Sequence, residues 1–434
     1  MCFFNLKRKN WTCILLFFSL FTVPSEAEII RETFWSSKRH VFQFAEFNFT
    51  HTGYVSVAVS AARVSSALSK PDHSRLGFIL LSDEVRTQHH PELYPTGGNC
   101  ILDSKLISVL FTFENVSHYS FNKSFHVTHP GKNSLYFINC NQNSFVYMNV
   151  RAELYNIDCD GTTKNYLSAG LTPLPFLYSI FSFIYLCFIA FWIFVCFKSK
   201  RNFHKIPHLL MGASLAITFA HLTCAAMDRH YVKVTGTPHG WDVFFYIFKL
   251  IRGWLFFTVI VLIGGGWRSW KPFLDIMDKW ALIDVIVFQV LGTLSSILVG
   301  EIGYYWDYWM NWTVDVVLAD YASCIIIFFP MDWSFKSLRN DSKTDGNAAR
   351  NLEKLCLFFK VAVGYVFLTR IVVDGIGYVA PYVVNMFPWV IDAVKETGTL
   401  VFTIAMFYIY RPVENNDVEV EEIGLVSHAD LQVV

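Results

Sequence analysis

Charged side chains inside long apolar stretches are the residues of this sequence best placed to do chemistry. Asp242, Lys249 and Arg252 lie seven and three residues apart in one such stretch, which puts them on one face of a helix. Arg370 and Asp374 are four apart in a second and can pair along a helix. Asp320 lies in a third, and Asp392, Lys395 and Glu396 lie in a fourth. Facing lipid at mid-membrane, each charge would cost about 2.5–3.5 kcal/mol or more. At ~1.5 Å rise per residue, Lys249 and Asp320 sit roughly 12 Å deep, and Arg252 and Arg370 roughly 16 Å deep. The charges therefore gather in one half of the membrane, on four helices. Two arrangements satisfy them: a polar cavity open to that side, or a closed ion-pair network that fixes helix packing. The candidate pocket is Asp242, Lys249, Arg252, Asp320, Arg370, Asp374, Asp392 and Lys395.

Other chemistry is thinly represented. His208 and His221 are thirteen residues apart, too far along a helix to share a close site, and read as core histidines. No Cys/His spacing resembles a zinc site, and no phosphate loop or nucleophile motif is present. The reading is of a protein that is not an enzyme and needs no cofactor. A net charge of +0 gives no global field to attract nucleic acid.

The elements that must carry these residues are spans. The chain is 53% hydrophobic over 434 residues, too apolar for one soluble domain. Hydropathy and loop charge predict seven, at about 174–197, 207–227, 241–265, 280–299, 312–331, 356–380 and 387–410. Residues 228–240 read as a loop. Basic residues follow spans one (Lys198, Lys200, Arg201), three (Arg268, Lys271) and five (Lys336, Arg339, Arg350), so those loops face the cytosol. The N-terminal region is then lumenal and the tail, 412–434, cytosolic. Lys7, Arg8 and Lys9, a short apolar run at 11–22 and Ser25-Glu26-Ala27 read as a signal peptide, residues 1–27, and give the same orientation.

Residues 28–170 read as strands. Val55, Val57 and Val59 alternate with small polar residues, and Val146, Met148, Val150, Ala152 and Leu154 alternate with Tyr147, Asn149, Arg151 and Glu153. Apolar runs at 76–81, 106–113 and 135–138, with turn signals at 95–98 and 129–131, complete a small antiparallel sandwich. Asn48, Asn115 and Asn122 begin glycosylation sequons there. Of ten cysteines, only Cys100, Cys140 and Cys159 fall in this region, an odd count that allows one bridge and one spare thiol.

At this point residues become familiar. AAMDRHYVKVTGTPHGWDVFFYIF at 225–248, NYLSAGLTPLP at 165–175, FPMDWSFKSLR at 329–339 and KTDGNAARNLEKLCL at 343–357 resemble the lung seven-transmembrane receptor family, in particular its plant candidate G-protein-coupled receptor branch. The resemblance covers essentially all of 100–415. It implies an α+β membrane protein: an N-terminal lumenal GOLD-like antiparallel β-sandwich, then a seven-helix transmembrane domain at 171–411. It implies residence in the Golgi and endosomal system, with the plasma membrane as an alternative, and a role in trafficking or sorting. It also implies a Cys100–Cys140 bridge, with Cys159 extra. Two departures stand out: a tail with few acidic residues, and Arg268-Ser269-Trp270 where the family is more apolar.

The expected function is therefore trafficking or sorting, with a lumen-open polar pocket in the bundle. Expected partners are membrane lipid, a lumenal cargo or ligand, and cytosolic trafficking factors or a Gα subunit. Coupling to a heterotrimeric G protein is the alternative reading. Against it, Asp228-Arg229-His230 sits on the wrong helix for the usual receptor switch, and span seven has no Asn-Pro-x-x-Tyr. An ion channel or transporter is a second alternative, supported only by the charges in the spans.

Overall fold

The computed structural model describes residues 29–37, 40–66, 71–83, 85, 100–103, 107–116, 119–141, 144–158, 160–198, 205–264, 276–302, 321–322, 324–326, 328, 331–340, 346–373 and 387–410. Two antiparallel sheets come first. One has the order β1 (Ile29–Ser37), β8 (Ser144–Ile157), β3 (Gly53–Ser66), β6 (Phe121–His126), and β9 (Lys164–Asn165) also pairs with β8. The other runs β2 (Val41–Phe49), β7 (Gly131–Asn139), β4 (Leu76–Ser82), β5 (Ser108–Thr112).

The alternation in β3 and β8 puts Val55, Val57, Val59, Val146, Met148, Val150 and Leu154 on the inner face. Opposite them the core is largely phenylalanine: Phe42, Phe44, Phe47, Phe49, Phe78, Phe111 and Phe137. Phe42 and Phe44 meet edge-on at 4.9 Å, whereas Phe78 and Phe111 stack at 5.0 Å. β4 departs from alternation and is apolar on both faces. Leu76, Phe78 and Leu80 face the main core, while Ile79 and Leu81 join Ile101, Tyr136 and Ile138 in a second cluster outside the sheet. A short turn at Ile101–Asp103 covers that outer face. A Cys100–Cys140 disulfide, with Cα atoms 5.6 Å apart, ties the turn to the end of β7. Cys159 lies outside the described residues. Asn115 and Asn122 are exposed, whereas Asn48 is half-buried in β2.

The helical part follows. α1 (Leu174–Lys198), α2 (Lys205–Thr235), α3 (Trp241–Gly264) and α4 (Ile276–Ile302) pack in chain order, each against the next. Residues 331–340 form α5, and α6 (Gly346–Val366) runs into a π-helical turn at Phe367–Val372 before α7 (Pro388–Ile409). α7 packs on α6 and α1, and α6 also touches α3, which closes the bundle. α3 is its hub, with every residue from Leu255 to Gly264 buried.

Helix bounds differ from the hydropathy reading in two places. α2 continues to Thr235, because residues 228–235 contain no Gly or Pro, and stops only at Gly236 with φ +75°. α6 begins at Gly346, ten residues before the apolar span, because a polar amphipathic turn precedes it. Most of the expected fifth span lies outside the described residues.

Gly236 is also where the two parts meet. A Cβ there would stand 2.7 Å from Ile29 Cγ1 and 3.1 Å from Tyr166 Cδ1. The Tyr166 N–H donates to Lys233 O at 3.0 Å, so β9 docks on the last turn of α2. The Asn48 N–H donates to Ser168 Oγ at 3.0 Å, and the turn Ala169–Leu171 packs against α7.

Two outcomes are expected. A Cys100→Ser, Cys140→Ser double variant should lose about 2–4 kcal/mol, because the bridge closes a loop between residues 40 apart; an unchanged melting midpoint of the sandwich would contradict this. Gly236→Ala should cost about 1–3 kcal/mol at the junction, seen as faster proteolysis between residues 158 and 173, and wild-type resistance would refute it.

Candidate functional site

The polar residues of the bundle meet around one contact between α3 and α7. Arg252 Nη1 donates to Glu396 Oε1 at 2.8 Å, and Nη2 donates to Oε2 at 2.7 Å. The two side chains are only 15% and 13% exposed. This parallel pair of charge-assisted bonds suits the planar guanidinium and could not be reproduced by lysine.

Other groups stand around the pair. Asp392, one turn before Glu396 on α7, lies beside Tyr178 of α1 and within the field of Lys395 and Arg229. Tyr185 of α1, fully buried, faces Arg252 and Glu396. Tyr365 of α6 stands 3.4 Å from Thr399 Oγ1 through its hydroxyl. His221 of α2 stacks on Phe245 with centroids 5.1 Å apart, and Lys249 lies 5.9 Å from the same ring. His221 Nδ1 and Thr258 Oγ1 are buried without a hydrogen-bond partner among the described residues, while the Tyr185 hydroxyl lies beside Thr403. Such atoms in a polar interior are ordinarily met by water or ligand.

The expected pocket residues divide accordingly. Arg252, Lys249, Asp392 and Lys395 belong to this group. Asp242 does not: it occupies the first turn of α3, about 15 Å along the axis from Arg252 at ~1.5 Å per residue. There a carboxylate is favoured by the helix dipole instead. Asp320 and Asp374 lie outside the described residues. Arg370 falls in the π-helical turn at Phe367–Val372, and its side chain is outside the described residues.

Glu396, noted in the sequence but left out of the candidate pocket, is the direct partner of Arg252. Arg229 joins because α2 is longer than its apolar span. Tyr178, Tyr185 and Tyr365 carry no signal in hydropathy, since tyrosines are common in apolar spans. Among the described residues no group of three or more His, Cys, Asp or Glu is arranged to hold a metal ion.

A second feature adjoins the first. Between α6 and α7 runs an apolar groove of about 430 Å³, lined by Val361, Gly364, Leu368, Val394, Val401 and Phe402 among others. Tyr365 and Phe402 also line it, with rings 4.7 Å apart, and Tyr365 links it through Thr399 to the helix that carries Glu396.

Removing one partner of the ion pair should be far worse than removing both. Arg252→Ala or Glu396→Ala leaves one buried charge alone and should cost about 3–5 kcal/mol. An Arg252→Met, Glu396→Leu double variant should recover most of that loss. Thermal unfolding of the three purified variants decides: equal loss in single and double variants would show that the pair is not closed.

Comparison with known proteins then places the chain. Residues 33–156 match the model of the CAND6/7 N-terminal domain, and residues 173–417 match the GOST seven transmembrane domain. The chain is 41% identical over 412 residues to the protein candidate G-protein coupled receptor 6 of Arabidopsis thaliana, across 93% of this chain and 95% of that one. Two antiparallel sheets followed by apolar helices, three of them long and apolar enough to cross a membrane among the described residues, agree with those matches. This chain is a multi-pass membrane protein and belongs to the GOST seven-transmembrane family.

Proposed function

We propose that this protein is a non-catalytic trafficking or sorting protein of the Golgi and endosomal system. Its N-terminal sandwich faces the lumen and meets cargo, and its C-terminal tail faces the cytosol and meets trafficking factors. The observation that carries the reading is that one helix serves both parts. α7 seats the Ala169–Leu171 turn at the base of the sandwich and, through Glu396, grips α3. An event at the sandwich is thus mechanically continuous with the polar centre of the bundle. The unpartnered His221 Nδ1 and Thr258 Oγ1 atoms favour an occupant there beyond the closed ion pair. The groove between α6 and α7 suits an acyl chain of membrane lipid.

The second reading is a receptor that couples to a heterotrimeric G protein. It is favoured by the relative named as a candidate G-protein coupled receptor. In that reading Lys336 and Arg339, in α5, and Arg350, at the start of α6, would matter most for docking.

Quantitative mass spectrometry of the tagged protein purified in mild detergent, lipids included, separates the two. Enriched lumenal cargo, coat components or one lipid class is expected. A Gα subunit released by nucleotide, with no cargo, would overturn sorting in favour of the receptor.

A further inference from the structure

The outer face of the β1–β8–β3–β6 sheet carries a feature that its core does not require. Among the described residues, three non-glycine residues have φ in the left-handed region: Ala61 (54°), Tyr119 (60°) and His239 (54°). Two of them meet at one edge, where the Ala62 N–H donates to Tyr119 O at 3.1 Å. The same level of the sheet is irregular on both sides of β8. Pairing with β1 shifts between Phe34 and Ser37, and pairing with β3 shifts between Ser60 and Arg63. Each neighbour inserts one extra residue against the same stretch of β8, around Tyr147 and Met148. Paired bulges and left-handed alanine and tyrosine are unfavourable features that re-aim side chains, and they gather at functional positions.

Here they present rings to solvent. Trp35 is 78% exposed, Tyr119 64% and Tyr147 36%. Arg63 faces Tyr147 across the ladder and stands 5.9 Å from the centre of the Tyr119 ring. At ~4.8 Å between strands, Trp35, Tyr147 and Arg63 form a row roughly 10 Å long, which Tyr119 extends. One register step along, Asn149 and Ser60 lie directly opposed and exposed.

The chemistry of the row selects its partner. A folded protein partner would favour contiguous apolar surface; here Tyr147 and Tyr119 border the Arg63 guanidinium, and the Asn149 amide and Ser60 hydroxyl lie one step along. Flat rings alternating with hydrogen-bonding groups match a pyranose, whose C–H face stacks on an aromatic face while its hydroxyls bond sideways. Tyrosine and tryptophan lose little conformational freedom in such contacts.

We infer that this sheet face binds an oligosaccharide, the glycan of a glycoprotein, with Trp35, Tyr147 and Tyr119 as stacking platforms and Arg63 and Asn149 as hydrogen-bond donors. The inference names the partner class of the sandwich and rests on the sorting reading only in that this face meets glycoproteins.

The test uses the full-length chain in detergent micelles, enzymatically deglycosylated so that its own glycans do not compete. It is applied to immobilised high-mannose, hybrid and complex N-glycans, with the free oligosaccharides as competitors. One glycan class should be retained and released by its free form. Trp35→Ala and Tyr147→Ala should each weaken retention about tenfold or more. Trp35→Phe, which keeps a stacking ring, should retain most binding, and Val109→Ala on the other sheet should change nothing. Retention of no glycan class by the wild-type chain overturns the inference, as does retention of a proline-rich peptide in place of glycans. Binding unaltered in both alanine variants also overturns it. Glycan binding together with a Gα subunit and no cargo in the co-purification would leave the face assigned and the sorting reading refuted.

Discussion

A guanidinium and a carboxylate held in parallel inside the bundle constrain everything around them. Two charges withdrawn from water are tolerated only when they meet in good geometry, and the bidentate contact of Arg252 with Glu396 supplies it. It fixes both the distance and the rotation of α7 against α3, since a planar fork accepts few alternatives. The second half of α3 is wholly buried, so the constraint reaches α2, α4 and α6 through ordinary packing. Tyr178, Tyr185 and Tyr365 surround the pair with groups that are apolar in body and polar at the tip. That composition lets a charged centre coexist with an apolar exterior.

The architecture was legible where one physical signal dominated. Period-two alternation identified β3 and β8, and continuous hydropathy identified α1, α3 and α7 almost to the residue. The signal failed where elements depend on neighbours rather than on their own pattern. In β1 and β2 the alternation changes phase at a register shift, between Phe34 and Ser37 and between Gln43 and Ala45, and they exist as strands by pairing with β8 and β7. α2 outruns its apolar span because hydropathy measures the membrane, whereas the helix ends where the backbone is interrupted, at Gly236.

The site was legible by kind but not by pairing. Charges inside apolar stretches were singled out, and the fold sets Lys249 and Arg252 near His221 and Asp392 near Lys395 and Glu396. Spacing gave a same-helix partner for Arg370 and only a shared helix face for Arg252. The decisive partner of Arg252 lies 144 residues away, and only the closure of α7 onto α3 brings it near. Asp242 shows the converse: a shared helix face is not a shared depth. The aromatic row of the outer sheet left no mark in the sequence. It depends on two bulges that shift register, and register is a property of the pairing rather than of either strand.

The seam between the sandwich and the bundle is written partly in main-chain atoms. The bond from Tyr166 N–H to Lys233 O involves no side chain, and the closest approach is at a residue that has none, Gly236. The main-chain bond is indifferent to the side chains around it, whereas Ile29 and Tyr166 need the bare Cα of Gly236. Away from these few positions the surfaces of the two halves are free to drift over evolutionary time without disturbing the seam. Exchange of one relative's sandwich onto another's bundle becomes a natural route to new pairings of recognition and address.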